Sequence, residues 1–206
     1  MSSFSNYRSQ ANSRLKRACV SPIPGHERVW VTSDHNNLTH SGRRAYPGRG
    51  VAYDRLLDPV RHLRSRQIEV VASGSLMTRA AKKFLQDAWT ADVWTADRNA
   101  DALVAGSLLR GARKADRVVL CAGDGDYIDV VRFLRTKGVV VEVWAFAGSL
   151  SRDLEDAANV LRLLDHHVLA PPAPAARAQQ SLTDALGSWA LPQRINGALP
   201  PATISN

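Results

Sequence analysis

Apolar residues recur along this chain in two alternating rhythms. Short runs rich in β-branched residues are separated by segments whose apolar positions repeat every three or four residues. The runs Arg28–Ser33, Ile68–Ser73, Ala91–Thr95, Val118–Cys121 and Val139–Phe146 predict strands, and His167–Leu169 predicts a last short one. Between them, Tyr53, Leu56, Leu57, Val60 and Leu63 share one helical face ending near Arg66. Helices are also predicted from about Met77 to Gln86, and from Asp101 through Leu108 and Leu109 to Gly111. A fourth carries Tyr127, Val130, Val131 and Leu134 up to Gly138, and a fifth runs from Ser151 through Ala157, Val160 and Leu161 to Leu164. The glycine- and arginine-rich stretch from His40 to Gly50 reads as a loop. Strands alternating with helices predict an α/β fold with a mainly parallel sheet.

The two ends lack this rhythm. Residues 1–27 are polar and basic and close on the breakers Ser21-Pro22-Ile23-Pro24-Gly25, so a disordered basic arm is expected. From residue 171 the composition turns to Pro, Ala, Gln and Ser, giving a mostly disordered tail, with Ser181 to Leu191 a weak amphipathic segment. The globular domain is therefore expected over residues 28–170. No apolar run approaches a membrane span and the start lacks a signal-peptide core, which predicts a cytoplasmic protein. Cys19 and Cys121 are the two cysteines, without CxxC spacing, which argues against zinc and disulfides.

Charge narrows the class of partner. The net charge is +8, and Arg43 to Arg66 holds seven arginines against Asp54 and Asp58. Such an excess is either a solvated basic face or the docking surface of a protein that acts on a polyanion. Arg43, Arg44 and Arg49 are the candidate phosphate contacts.

Carboxylates collect where that polyanion reading needs them. Asp34 follows the first strand directly, and Ala122-Gly123-Asp124-Gly125-Asp126 follows the central one. Asp101 opens a helix. In a parallel α/β sheet these positions converge beyond the carboxyl ends of the strands, where ligands bind. Crowded carboxylates need a cation or a proton to offset their repulsion. Asp126 has a second reading, as a helix cap paired with Asp129. His35 either donates to a phosphate or bonds locally. His166 and His167 read as structural or exposed. Trp30, Trp94 and Trp144 read as core, whereas Trp89 is the tryptophan that could stack on a base. No GxxxxGK[ST] occurs, and GDGD lacks the GxGxxG spacing of a dinucleotide site.

These segments resemble a known family. Asp34-x-x-Asn37-Leu38, Arg98-x-x-Asp101, Gly123-Asp124-Gly125-Asp126-Tyr127 and Val141-Glu142-Val143-Trp144 with Gly148, Ser149 and Ser151 are similar to NYN domains, nearest the LabA-like branch. NYN domains are nuclease-like domains of the PIN-like superfamily. The resemblance spans Val29 to Val168 and implies a three-layer α/β/α sandwich that hydrolyses RNA phosphodiesters with Mg2+ or Mn2+. It implies Asp34, Asp101, Asp124 and Asp126 as metal-binding and catalytic carboxylates and Asn37 as their polar neighbour. His35, Arg43, Arg44, Arg49 and Arg98 are the substrate-binding candidates. The chain departs from the pattern at Arg98, where lysine is common, at Ser107, where a second acid is common, and at Asn159, where aspartate is usual. His35 and Asn36 also replace the residues common between the Asp and the Asn. These departures support an alternative: an NYN-fold module that binds nucleic acid or a protein partner, or self-associates, without useful catalysis. A phosphatase built on Asp34 would want a second aspartate where Asn36 stands.

Overall fold

A computed structural model describes residues 23–74, 76–97 and 99–170. Six strands, β1 (Val29–Asp34), β2 (Arg66–Ser73), β3 (Asp92–Ala96), β4 (Arg117–Cys121), β5 (Val140–Phe146) and β6 (Val160–Leu164), form one sheet in the order β3-β2-β1-β4-β5-β6. Every neighbouring pair is parallel. The central strands β1, β2, β4 and β5 are buried on both faces and carry mostly apolar and β-branched residues, as a doubly covered parallel sheet requires.

Alternation along each strand divides the interior into two layers. Val29, Val31, Ile68, Val70, Val119, Trp144 and Phe146 face helices α1 (His35–Ala45), α2 (Tyr53–Leu56) and α3 (Arg79–Trp89). Trp30, Val71, Val118, Leu120, Val141 and Val143 face α4 (Asp101–Gly111), α5 (Ile128–Thr136) and α6 (Arg152–Ala157). Fully burying each such aliphatic side chain is worth roughly 1.5–3 kcal/mol. The architecture is thus the expected α/β/α sandwich.

Four local expectations change. Residues 40–45 belong to α1, not a loop; its buried face is built from His35, Leu38, Thr39, Ser41 and Gly42, too polar to show apolar periodicity. A Cβ on Gly42 would lie 3.0 Å from Leu169 Cδ2, so the small residue permits close packing. The expected helix from Tyr53 to Arg66 breaks into α2 and a 3-10 turn at Asp58–Val60, because Pro59 cannot sit inside a continuous helix. The helix from Ser151 stops at Ala157, and Val160–Leu164 is the edge strand β6. Asn159 makes that change: its N–H donates to Val141 O and its Oδ1 accepts from Val141 N, both at 2.9 Å, in the manner of a strand pair. His167, read as the start of a strand, lies instead in a 3-10 turn, His166–Val168.

The packed chain also starts before residue 28. Ile23 is 2% exposed, within the core layer of α1 to α3. Glu27 accepts from Arg117 Nε at 2.7 Å, and Arg117 Nη1 reaches the fully buried Glu142 at 2.9 Å. Among the described residues no helix is long and apolar enough to cross a membrane. The expected arm through residue 22, Arg98 and the tail from residue 171 lie outside the described residues.

Candidate functional site

The strand order reverses direction between β1 and β4, and that switch point is where a doubly wound sheet opens a crevice. The residues there are tied together by amide side chains. Asp34, the last residue of β1, caps α1 by accepting from Asn37 N at 2.9 Å. Asn37 Oδ1 in turn accepts from Gly123 N at 2.9 Å, joining the end of β1 to the loop after β4. Asn36 does the same toward β2, accepting from Ser73 N at 3.1 Å and donating to Ser73 Oγ. Gly123 must lack a side chain, since a Cβ would stand 2.6 Å from the Ser149 carbonyl oxygen. Its own carbonyl accepts from Ser151 N at 2.8 Å.

A cleft of about 610 Å³ opens on this frame, lined by Asp34, Asn37, Asp101, Asp124 and Arg44, among others, and by residues 148–151. A smaller hollow of about 410 Å³ adjoins it at Asp34, Asn36, Ser73, Asn99 and Asp101. Asp101 is the first residue of α4, with its N–H held by Asn99 Oδ1 at 2.8 Å. Asp124 precedes the 3-10 turn Gly125–Tyr127 and accepts from Asp126 N at 3.3 Å.

Tyr127 binds two of these carboxylates. Its hydroxyl lies 2.6 Å from Asp34 Oδ2 and 3.0 Å from Asp101 Oδ1. A phenol has one proton, so it cannot donate fully to both. Burial raises the Asp34 carboxyl above its usual value, the charge of Asp101 adds to the rise, and the bonds from Asn37 and Tyr127 oppose it. The Tyr127 phenol is pushed far up, first by burial and then by Asp34. Among the described residues, no Lys or Arg forms an ion pair with Asp34, Asp101 or Asp124. An all-oxygen donor set that is rich in carboxylates and open to water fits a hard divalent ion.

The predicted residues divide. Asp34, Asn37, Asp101, Asp124 and Arg44 line the one cleft. Asp126 is exposed and outside that lining; it donates its backbone N–H to Asp124, so Asp124 and not Asp126 is the cap. His35 is corrected to an interior role: it is 7% exposed, its Nδ1 is 2.9 Å from Tyr53 Oη, and burial lowers its pKa. Arg49 is spent on the chain itself, donating to the carbonyls of Ala170 at 2.9 Å and Leu169 at 3.1 Å. Arg43 is exposed outside the cleft lining. Ser107 is fully buried, bonded to Thr32 Oγ1 at 2.7 Å and Trp30 Nε1 at 3.2 Å, away from the cleft. Trp89 is 3% exposed and Trp94 is 47% exposed, the reverse of the expectation for both.

Tyr127 reads in the sequence as an apolar helix position and as the end of the Gly123-to-Tyr127 motif, without a role at the site, although a buried tyrosine generally needs a partner for its hydroxyl. Asn36 carried no signal beyond its place after Asp34. Among the described residues, the one group of three His, Cys, Asp or Glu side chains with all ligand atoms within 4.8 Å of one another is Asp165, His166 and His167, exposed after β6. The cleft carboxylates are spread more widely than that.

A crystal structure of a protein of unknown function from Vibrio parahaemolyticus superposes with a TM-score of 0.62 at 19% identity, covering 73% of this chain and 100% of that one. That likeness shows the fold. A comparison with curated proteins finds no match. The NYN domain family matches residues 28–165, from before β1 to the end of β6. On that match the chain belongs to the NYN domain family, within the PIN-like nuclease superfamily.

Proposed function

We propose that the protein is a divalent-metal-dependent ribonuclease, close to the LabA-like branch, with its centre at Asp34, Asp101 and Asp124. The observation that carries this reading is the convergence of three carboxylates on one open cleft at the switch point, without a cationic partner among the described residues. Asp34, Asp101 and Asp124 would hold Mg2+ or Mn2+. A bound ion of this kind supplies positive charge to phosphate oxygens and acidifies a water ligand.

The chain's own residues supply the rest. Asn37 and Asn36 fix the end of β1 against the loop after β4 and the end of β2. The Tyr127 hydroxyl stands between the Asp34 and Asp101 carboxylates, within hydrogen-bond distance of both and with one proton to share. Arg44, the arginine in the cleft lining, docks the negatively charged substrate backbone.

A specific observation favours a second reading, a binding module. The Tyr127 hydroxyl already occupies an oxygen of both Asp34 and Asp101. The test separates the two. Single-stranded and hairpin RNAs are incubated with Mn2+, Mg2+ or chelator, using wild type and Asp124→Asn. Metal-dependent cutting by wild type alone supports the nuclease. RNA binding without cutting in any metal supports the module.

A further inference from the structure

Resting on the reading of a protein that acts on RNA, we propose that the open sheet face beside α4 is a stacking platform for single-stranded RNA, centred on Trp94.

Strand register places Trp94 relative to the cleft. Asp34 pairs with Val71, and Val71 pairs with Trp94, so the three residues stand in line across the sheet and on the same face. Two strand spacings put Trp94 about 10 Å from Asp34. Val71 between them is fully buried, so a strand leaving the cleft must pass outside it, which takes at least about three nucleotides at about 3.4 Å each. Helix α4 begins at Asp101 in the cleft and carries Arg110 about 14 Å further on.

The surface there is shaped and charged for such a strand. Trp94 lies on the edge strand β3, 47% exposed, in a groove of about 530 Å³ that also includes Trp30, Gln67, Arg110 and Lys114. The Arg110 guanidinium sits 5.7 Å from the Trp94 ring centroid. It is held there by the buried Glu69 carboxylate at 2.6 Å, so the stacking pair is set before any ligand arrives. With Arg110 paired to Glu69 and Arg28 to Asp116, the groove's other charges are Arg66 and Lys114 against Asp92, an excess of positive charge, and Lys114 forms no ion pair among the described residues. An exposed indole beside cations binds bases without regard to sequence, since every base offers a π face.

The test is binding in chelator, which removes cleavage from the measurement. Labelled single-stranded RNA decamer, a dinucleotide and a decamer duplex are titrated into wild type, Trp94→Ala, Trp94→Phe and Lys114→Ala. Trp94→Ala should weaken the single-stranded decamer by about 5- to 150-fold. Trp94→Phe should retain most of the affinity, and Lys114→Ala should lower the salt slope by about 0.7. The dinucleotide and the duplex should not respond to Trp94. Equal weakening of the dinucleotide, no weakening of the decamer, or no RNA binding by wild type overturns the platform. So does loss of a wild-type dimer in Trp94→Ala, which makes this face a contact between copies. Wild type that cuts RNA while ignoring Trp94 keeps the nuclease and loses the platform. Trp94-dependent binding without cutting in Mn2+ does the reverse.

Discussion

Replacing Tyr127 with phenylalanine removes one oxygen and changes the electrostatics of the whole centre. Asp34 is 4% exposed and its charge is satisfied from the protein by Asn37 N at 2.9 Å and Tyr127 Oη at 2.6 Å. A hydrogen bond to a charged group contributes about 1.5–3 kcal/mol. For a domain of this size each kcal/mol moves the thermal midpoint by about 2–4 °C, so Tyr127→Phe should melt roughly 3–12 °C lower at neutral pH. The deficit should depend on pH in a defined sense. The folded Asp34 pKa lies above its unfolded value, chiefly through burial, so the folded state binds the extra proton. Stability from this group is therefore fully present below the unfolded value and is lost as pH rises through the folded one. The Tyr127 bond opposes that loss, so the variant should fall further behind wild type as pH rises and approach it in acid. Saturating Mn2+ should restore part of the deficit, because a cation replaces the missing donor; at 100 times Kd the ion stabilises by about 2.7 kcal/mol. The assay is calorimetric melting of wild type and variant across pH, with and without Mn2+. Equal midpoints at neutral pH, or an identical metal response, would refute the reasoning.

Other perturbations probe the surrounding frame. Gly123→Ala places a Cβ 2.6 Å from the Ser149 carbonyl oxygen, so it should lower the midpoint and distort the cleft, read by melting and by RNA affinity. Arg44→Ala should reduce the salt slope of single-stranded RNA binding by about 0.7, whereas Arg49→Ala should leave the slope unchanged and lower stability instead. The Asp116 carboxyl is held at about 2 by its hydrogen bonds to Arg28, below the usual 3.8. Its stabilising effect is present above the usual value and is lost as pH falls through about 2, so Asp116→Asn and wild type should converge in midpoint near that pH. Since both partners are well exposed, added salt should shrink the difference at neutral pH.

The sheet was readable because its strands are short β-branched runs and its helices carry apolar stripes, two patterns that do not mimic each other over long stretches. Topology alone, as residues following strands or opening a helix on one side of a parallel sheet, anticipated that Asp34, Asp101 and Asp124 share one cleft, but the same argument placed Asp126 there, and it is exposed outside the lining. Where the reading failed, local pattern was ambiguous or silent. Leu154, Ala157, Leu161 and Leu164 fit a single helix, but the reciprocal bonds of Asn159 with Val141 open a parallel pairing of Val160–Leu164 with β5. Helix α1 was hidden because its buried face is small and polar. His35 and Arg49 are the residue types expected at a phosphate site, but side-chain direction decides their role. His35 points to Tyr53, and Arg49 holds the carbonyls that close the domain. Trp94 was assigned to the core because it lies on a strand, yet β3 is an edge strand and α4 packs chiefly over β1.

The central claim is that the cleft carboxylates hold a divalent ion, and anomalous scattering from a Mn2+-soaked crystal tests it most directly. A peak ligated by Asp34, Asp101 or Asp124, and absent in crystals of Asp124→Asn, is the predicted result. Density confined to the exposed Asp165, His166 and His167, or an empty cleft at saturating Mn2+, would contradict it.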